Sequence, residues 1–298
     1  MLITLFDMTL SAFRVGHALG GAQISVLDLG ARPADTAPRY AALEGLRLNV
    51  TGVDGDKSAR LPFLQQFDEQ TTAKFICCYL GTGGFRTLNV CKQASTSTLF
   101  EVNAALCRNF DGFGEAVEVL RREPVETVTL DALFKGDDFD LIKSDLQGAD
   151  LEVLSFGQST LSKATALLIE CEFVEQFSGA PLFWSVASEV RRWGFEFHSI
   201  IDVGIRPRVG FDPAWSSKKR GYKQWLWGNA LFIRETACWH DLSKSKLIKF
   251  ASIMDCVFDC YDVAYAALVK CDEANSSNYA FEYARRLKLQ NGSNLQES

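Results

Sequence analysis

Histidine is scarce in this chain, with three copies among 298 residues, at His17, His198 and His240. None stands at ligand spacing from another, and the acids form no paired motif apart from Asp137-Asp138, so no metal centre is expected. No CxxC pair is present. The nine cysteines are an odd number and lie mostly in apolar runs such as 75–79 (FICCY), which reads as reduced, buried thiols of a cytoplasmic protein. No segment reaches about 18 apolar residues without a charge, and Asp7 and Arg14 interrupt the first apolar stretch, so neither a membrane span nor a cleavable leader is expected. Positive charge is not in excess: 31 Lys and Arg against 37 Asp and Glu leave a net charge of −6. The molecule as a whole repels nucleic acid, and any polyanion contact needs a local patch. Repeats and low-complexity blocks are also missing.

What is present is the composition of a folded enzyme-sized protein, 47% hydrophobic and 23% charged. Short apolar runs alternate with amphipathic stretches, which predicts a β/α fold with a largely parallel sheet. Strands are expected at 24–28, 47–54, 74–80, 86–91, 125–130, 139–143, 164–173, 195–203 and 225–234. Helices are expected near 38–43, 57–67, 113–121, 149–156 and 183–193, and the rest of 81–122, rich in Gly, Ser, Thr and Asn, reads as loops. Residues 1–238 form the expected main domain and 239–298 a helical C-terminal extension with a disordered end from 291. Its apolar stripe (Leu247, Phe250, Met254, Val257, Tyr261, Tyr265, Leu268) is expected to pack on the sheet or on a second copy in a homodimer.

Two acids mark the chemistry. The first strand runs into Asp28-Leu29-Gly30-Ala31, an acid followed by a glycine that opens a tight turn. The run is not GxGxxG, and an acid here repels a pyrophosphate; it suits a cationic ligand such as the amino group and sulfonium of S-adenosylmethionine. Asp54 ends the second strand, where a carboxylate can accept two hydrogen bonds from a ribose diol. Either acid alone has the pattern of a turn or helix cap. Together, one βαβ unit apart, they point to a nucleoside cofactor.

Residues 139–154 (FDLIKSDLQGADLEVL) resemble the signature of the FkbM-type methyltransferases. The flanking runs agree, in the same order: 97–103 (STLFEVN), 128–133 (VTLDAL), 168–173 (LIECEF), Pro181-Leu182-Phe183 and Trp193-Gly194-Phe195. Thr98 and Val102 replace the serine and proline of the family's loop, and Arg32-Pro33 follows the first turn where glycine is commoner. The resemblance implies a class I methyltransferase: a Rossmann-like, mostly parallel sheet with an antiparallel last strand, using S-adenosylmethionine to methylate hydroxyls of glycans or natural products. It also implies that Ser97 and Asn103 meet the cofactor together with Asp28, Gly30, Ala31 and Asp54.

Transfer to an alcohol needs a base. Asp145, at a strand's carboxyl end, is the first expectation for base or acceptor holder, or else it caps the following helix. Lys143 shares its face and is expected to keep it anionic. Glu170 and Glu172 share a face of a buried strand; Glu172 is expected in the crevice with Lys143 as its partner, and His198 is the alternative base. All six tryptophans fall between 184 and 239, and the loop 206–223 carries Arg206, Arg208, Lys218, Lys219, Arg220 and Lys223 with Trp215. Such a segment suits a sugar-containing, anionic acceptor, or it is an ordinary solvated loop. The reading is an O-methyltransferase; the rivals are a nicotinamide oxidoreductase on the same sheet and a non-catalytic scaffold.

Overall fold

A computed structural model of the protein describes residues 23–33, 37–43, 45–212, 214 and 221–294. In chain order its strands are β1 (Ile24–Leu29), β2 (Leu48–Asp54), β3 (Thr72–Cys77), β4 (Tyr79–Leu80), β5 (Gly84–Cys91) and β6 (Glu101–Val102). Then follow β7 (Val119–Val128), β8 (Leu141–Ser144), β9 (Ala166–Glu172), β10 (Phe177–Ser178), β11 (Phe195–Ile205) and β12 (Trp225–Arg234). Seven of them form one sheet in the order β11-β12-β9-β8-β1-β2-β3. β12 runs antiparallel to both its neighbours, and the remaining pairs are parallel. The strand order reverses between β1 and β8, so their carboxyl ends open a crevice where open α/β sheets bind ligands.

Strand alternation divides the core in two. Ile24, Val26, Leu141, Ala166, Leu168, Leu231 and Ile233 face the C-terminal helices Lys244–Cys256 and Tyr261–Asn275, through Leu247, Phe250, Met254 and Leu268. The alternate residues Leu27, Leu29, Ile142, Leu167, Ile169 and Phe232 meet the helices Asp150–Ser155 and Phe183–Arg192. The C-terminal stripe is therefore covered by this chain's own sheet. Tyr261 and Tyr265, expected in that stripe, are exposed instead. A third helix, Tyr279–Asn294, extends past the expected onset of disorder at 291, and residues 295–298 lie outside the described residues. Among the described residues no helix is long and apolar enough to cross a membrane.

The strands expected at 86–91 and 125–130 pair with each other and with Tyr79–Leu80 in a second sheet, β4-β7-β5. Helix was expected through 121, but the short helix Phe113–Ala116 ends early and β7 begins at Val119, held by antiparallel pairing with β5. The expected strand 74–80 breaks at Cys78: β3 is the edge of the large sheet and mostly half-buried or exposed, while Tyr79 and Leu80 cross into the small one. That small sheet becomes a wall of the crevice.

Candidate active site

The turn after β1 is fixed by backbone geometry. Gly30 has φ +76°, and a Cβ there would lie 1.9 Å from the carbonyl oxygen of Asp145. Its N–H donates to Val53 O (2.9 Å), and Asp145 N–H donates to Leu29 O (3.0 Å), so the ends of β1, β2 and β8 are laced together. The turn after β8 is equally determined. Gln147 and Gly148 both have positive φ (50° and 92°). Thr98 Oγ1 donates to Gln147 O (2.7 Å), and buried Asp150 accepts from Ser144 Oγ (2.5 Å) and Leu146 N–H (3.0 Å).

Two cavities meet at this point. The larger, about 900 Å³, is lined by Gly30, Asp54, Tyr79, Leu99, Leu146 and Gln147, with Ser97 also on its wall. Asp54 Oδ1 accepts the Asp56 N–H (2.7 Å), and no described group donates to its second oxygen. Burial raises the Asp54 pKa, so it is a desolvated acceptor awaiting donors. An apolar wall with a carboxylate at the β2 end fits a nucleoside with its ribose diol at Asp54. The smaller cavity, about 560 Å³, lies on the sheet face of the C-terminal helices and is lined by Tyr40, Arg39, Lys143, Asp202 and Asn229, among others.

A polar row crosses that face. Asp28 stands beside Lys143, Glu170 beside Asn229, and Asn229 beside Asp202 in the strand register. Lys143 Nζ donates to Asp28 Oδ1 at 3.0 Å and stands 3.8 Å from Asp145 Oδ2. Burial alone would depress the Lys143 pKa, but Asp28 and Asp145 outweigh it and raise it, so this ammonium stays charged. Gln147 Nε2 donates to Asp145 Oδ1 and Glu170 Oε2, both at 2.7 Å.

Several expectations are corrected here. Asp28 does not face the larger cavity: its carboxylate is taken by Lys143 and the Tyr40 hydroxyl, on the side of the smaller one. Ala31 is buried and lines that smaller cavity too. Lys143 pairs with Asp28 rather than Glu172. Asn103 lines neither cavity; its Oδ1 caps the short helix Ala104–Cys107 through Leu106 N–H (3.1 Å), and its Nδ2 donates to Glu175 O. His198 sits near the start of β11, level with the middle of β9, its Nδ1 against Ser199 Oγ. Three strand spacings, about 14 Å, separate β11 from β8, so His198 is no base for this crevice. Arg206 and Arg208 are spent on rings, stacking over Phe113 (5.3 Å), Trp227 (5.8 Å) and Phe110 (4.3 Å), and line neither cavity. Trp215, Lys218, Lys219 and Arg220 lie outside the described residues, as does His17. Among the described residues no group of three His, Cys, Asp or Glu is placed to hold a metal ion.

Glu172 is buried against the Gly148 turn, and burial, with Asp150 and Asp145 nearby, pushes its carboxyl up to about 8 from an ordinary 4.5. Asp150, chiefly through burial, rises to about 7. The folded cofactor-free protein thus holds protons that the unfolded chain releases between about pH 4.5 and 8. Its stability should fall as pH rises through that window, by up to about 1.4 kcal/mol per unit for each group. Melting curves at pH 5.5 and 8 check this, and Glu172→Gln should flatten the decline; an identical slope in the variant contradicts it.

The seven-strand order, with β12 inserted antiparallel between β11 and β9 and the crevice at the β1/β8 switch point, is that of a class I methyltransferase. The profile of the Methyltransferase FkbM domain matches residues 28–197. The chain belongs to the FkbM methyltransferase family, and its cofactor is S-adenosylmethionine. Solved structures similar to it include the plantazolicin methyltransferase BpumL in complex with SAH, at 12% identity over 77% of this chain and 84% of that chain, with a TM-score of 0.31. Another is a putative methyltransferase from Thermobifida fusca YX, at 11% identity over 79% and 84%, with a TM-score of 0.30. No curated protein matches the chain.

Proposed function

We propose that the protein is an O-methyltransferase acting on a hydroxyl of a sugar-containing acceptor. One observation carries the reading: Asp145 lines both cavities, and of the residues shared between them (Arg32, Pro33, Asp145) it alone can accept a proton. The larger cavity suits the cofactor, with Gly30, Asp54 and Gln147 around it. The smaller one is walled by the ring of Tyr40, by Lys143 and Asn229 and by the Arg39–Asp202 ion pair (2.7 Å), a set that suits a polyhydroxylated ring.

Bound S-adenosylmethionine supplies an electrophilic methyl group on a sulfonium. Asp145 takes the proton of the acceptor hydroxyl as the oxygen–carbon bond forms and the carbon–sulfur bond breaks. Lys143, hydrogen-bonded to Asp28, holds its ammonium 3.8 Å from Asp145 Oδ2. Mass analysis of a glycan mixture incubated with methyl-labelled donor tests the reading. Label on sugar hydroxyls is expected; label only on nitrogen or carbon acceptors overturns it. Asp54→Ala should weaken S-adenosylhomocysteine binding ten-fold or more, because a charge-assisted hydrogen bond contributes about 1.5–3 kcal/mol. Calorimetry giving unchanged affinity in a normally melting variant would remove Asp54 from the ribose.

A further inference from the structure

Glu170 is a half-buried carboxyl that the reaction written above does not use, yet a single side-chain amide joins it to the group that does. It stands on the same face of β9 as Leu168, level with Asn229, and its Oε2 accepts from Gln147 Nε2 at 2.7 Å. The same nitrogen donates to Asp145 Oδ1 at 2.7 Å, so one amide bridges two carboxyl groups. The bridge depends on the left-handed backbone of Gln147, itself pinned by Thr98. The groups around Glu170 are Lys143 on β8, Asp145 just after that strand, Asp150 at the start of the Asp150–Ser155 helix and Glu172 on its own strand. Apart from Lys143, already shared between Asp28 and Asp145, all of these are acids.

We propose that Glu170 and Gln147 are positioning residues for Asp145: Glu170 keeps its proton and donates it to Asp145, and the Gln147 amide locks the pair. The Gln147 amide joins the two carboxyl groups and the nearest ammonium is already shared between Asp28 and Asp145, so ionising both would set like charges against each other. Burial first, then Asp145 and the other acids, raises the Glu170 pKa well above the usual range, in agreement with that geometry. During transfer Glu170 neither gains nor loses a proton. The acceptor proton goes to Asp145, which stays hydrogen-bonded to the pair.

The inference rests on Asp145 as the base, but its test does not. Carbon-13 NMR of protein labelled at the Asp and Glu carboxyl carbons follows Glu170, assigned by loss of its resonance in Glu170→Gln. Wild type is expected to keep Glu170 protonated at pH 7. Asp145→Asn removes the facing anion and should lower the Glu170 midpoint by about one pH unit or more. In the labelled-donor glycan assay, Glu170→Leu should lower kcat at least ten-fold with KM unchanged. Glu170→Gln, whose amide N–H replaces the shared O–H, should restore most of it. Glu170 ionised at pH 7 in wild type, or unmoved in Asp145→Asn, overturns the proposal even if Asp145→Asn is inactive. An active Asp145→Asn with the expected titration would instead remove Asp145 as base and leave the carboxyl pair standing.

Discussion

Asp145→Asn is expected to lower methyl transfer by about 10² or more while S-adenosylhomocysteine affinity stays within a few-fold. The size follows from the loss of a general base, which contributes roughly 10²–10⁴. The separation of the two effects follows from the site. Asp145 stands on the wall between the cavities, whereas the Asp54 carboxylate and the apolar wall around Leu99 and Leu146 belong to the larger cavity alone. The variant is nearly isosteric, and its backbone N–H still reaches Leu29 O, so the turn around Gly30 should hold. Single-turnover measurements with labelled donor, beside calorimetry with S-adenosylhomocysteine, read both quantities. Turnover near wild type would move the base elsewhere, with Glu172 next to test because it is buried at the strand end and its carboxyl rises to about 8.

The strands were legible because each core strand is its own short apolar run, and the switch-point carboxyl ends follow from the βα order. Asp145 and Asp54 were legible for the same reason, since each closes a strand. The partners were not. Lys143 meets Asp28 only because β8 lies beside β1, 115 residues away in the chain. Tyr40 reaches Asp28 from the connection between β1 and β2, and nothing in RYAAL marks it as polar cover for a buried acid. Asn229 reads as a strand residue in WLWGNALFIR until the antiparallel register sets it beside Glu170. Gln147 as a bridge needs a positive φ, for which the neighbouring Gly148 was the only signal. The cations of the 206–223 loop misled in the opposite way. A charge count treats Arg206 and Arg208 as free, but the rings of Phe110 and Phe113 from a distant segment, with Trp227 of the following strand, occupy them.

The second large effect lies at the opposite end of the sheet. Asp140, just before β8, is fully buried and accepts from Lys246 Nζ (2.7 Å), Lys249 Nζ (3.1 Å) and Ser25 N–H (2.9 Å). It therefore fastens the helix Lys244–Cys256 to the amino ends of β1 and β8, beneath the apolar face formed by Leu247, Phe250 and Met254. Asp140→Ala leaves two largely buried ammonium groups without their shared anion and one backbone donor without an acceptor. Breaking a buried ion pair in this way costs about 3–5 kcal/mol, and for a domain of this size Tm should fall by on the order of 10 °C. Asp140→Asn keeps an acceptor for Ser25 and should lose less. Removing residues 242–298 altogether would bare Ile24, Val26, Leu141 and Leu168 to water, and the truncated protein is expected to aggregate. Calorimetric melts of the two point variants, with sedimentation of the truncation, measure these outcomes. A soluble, active truncation would show that the sheet face holds without the helices, and an unshifted Tm in Asp140→Ala would show that the lysines reach solvent rather than the buried acid.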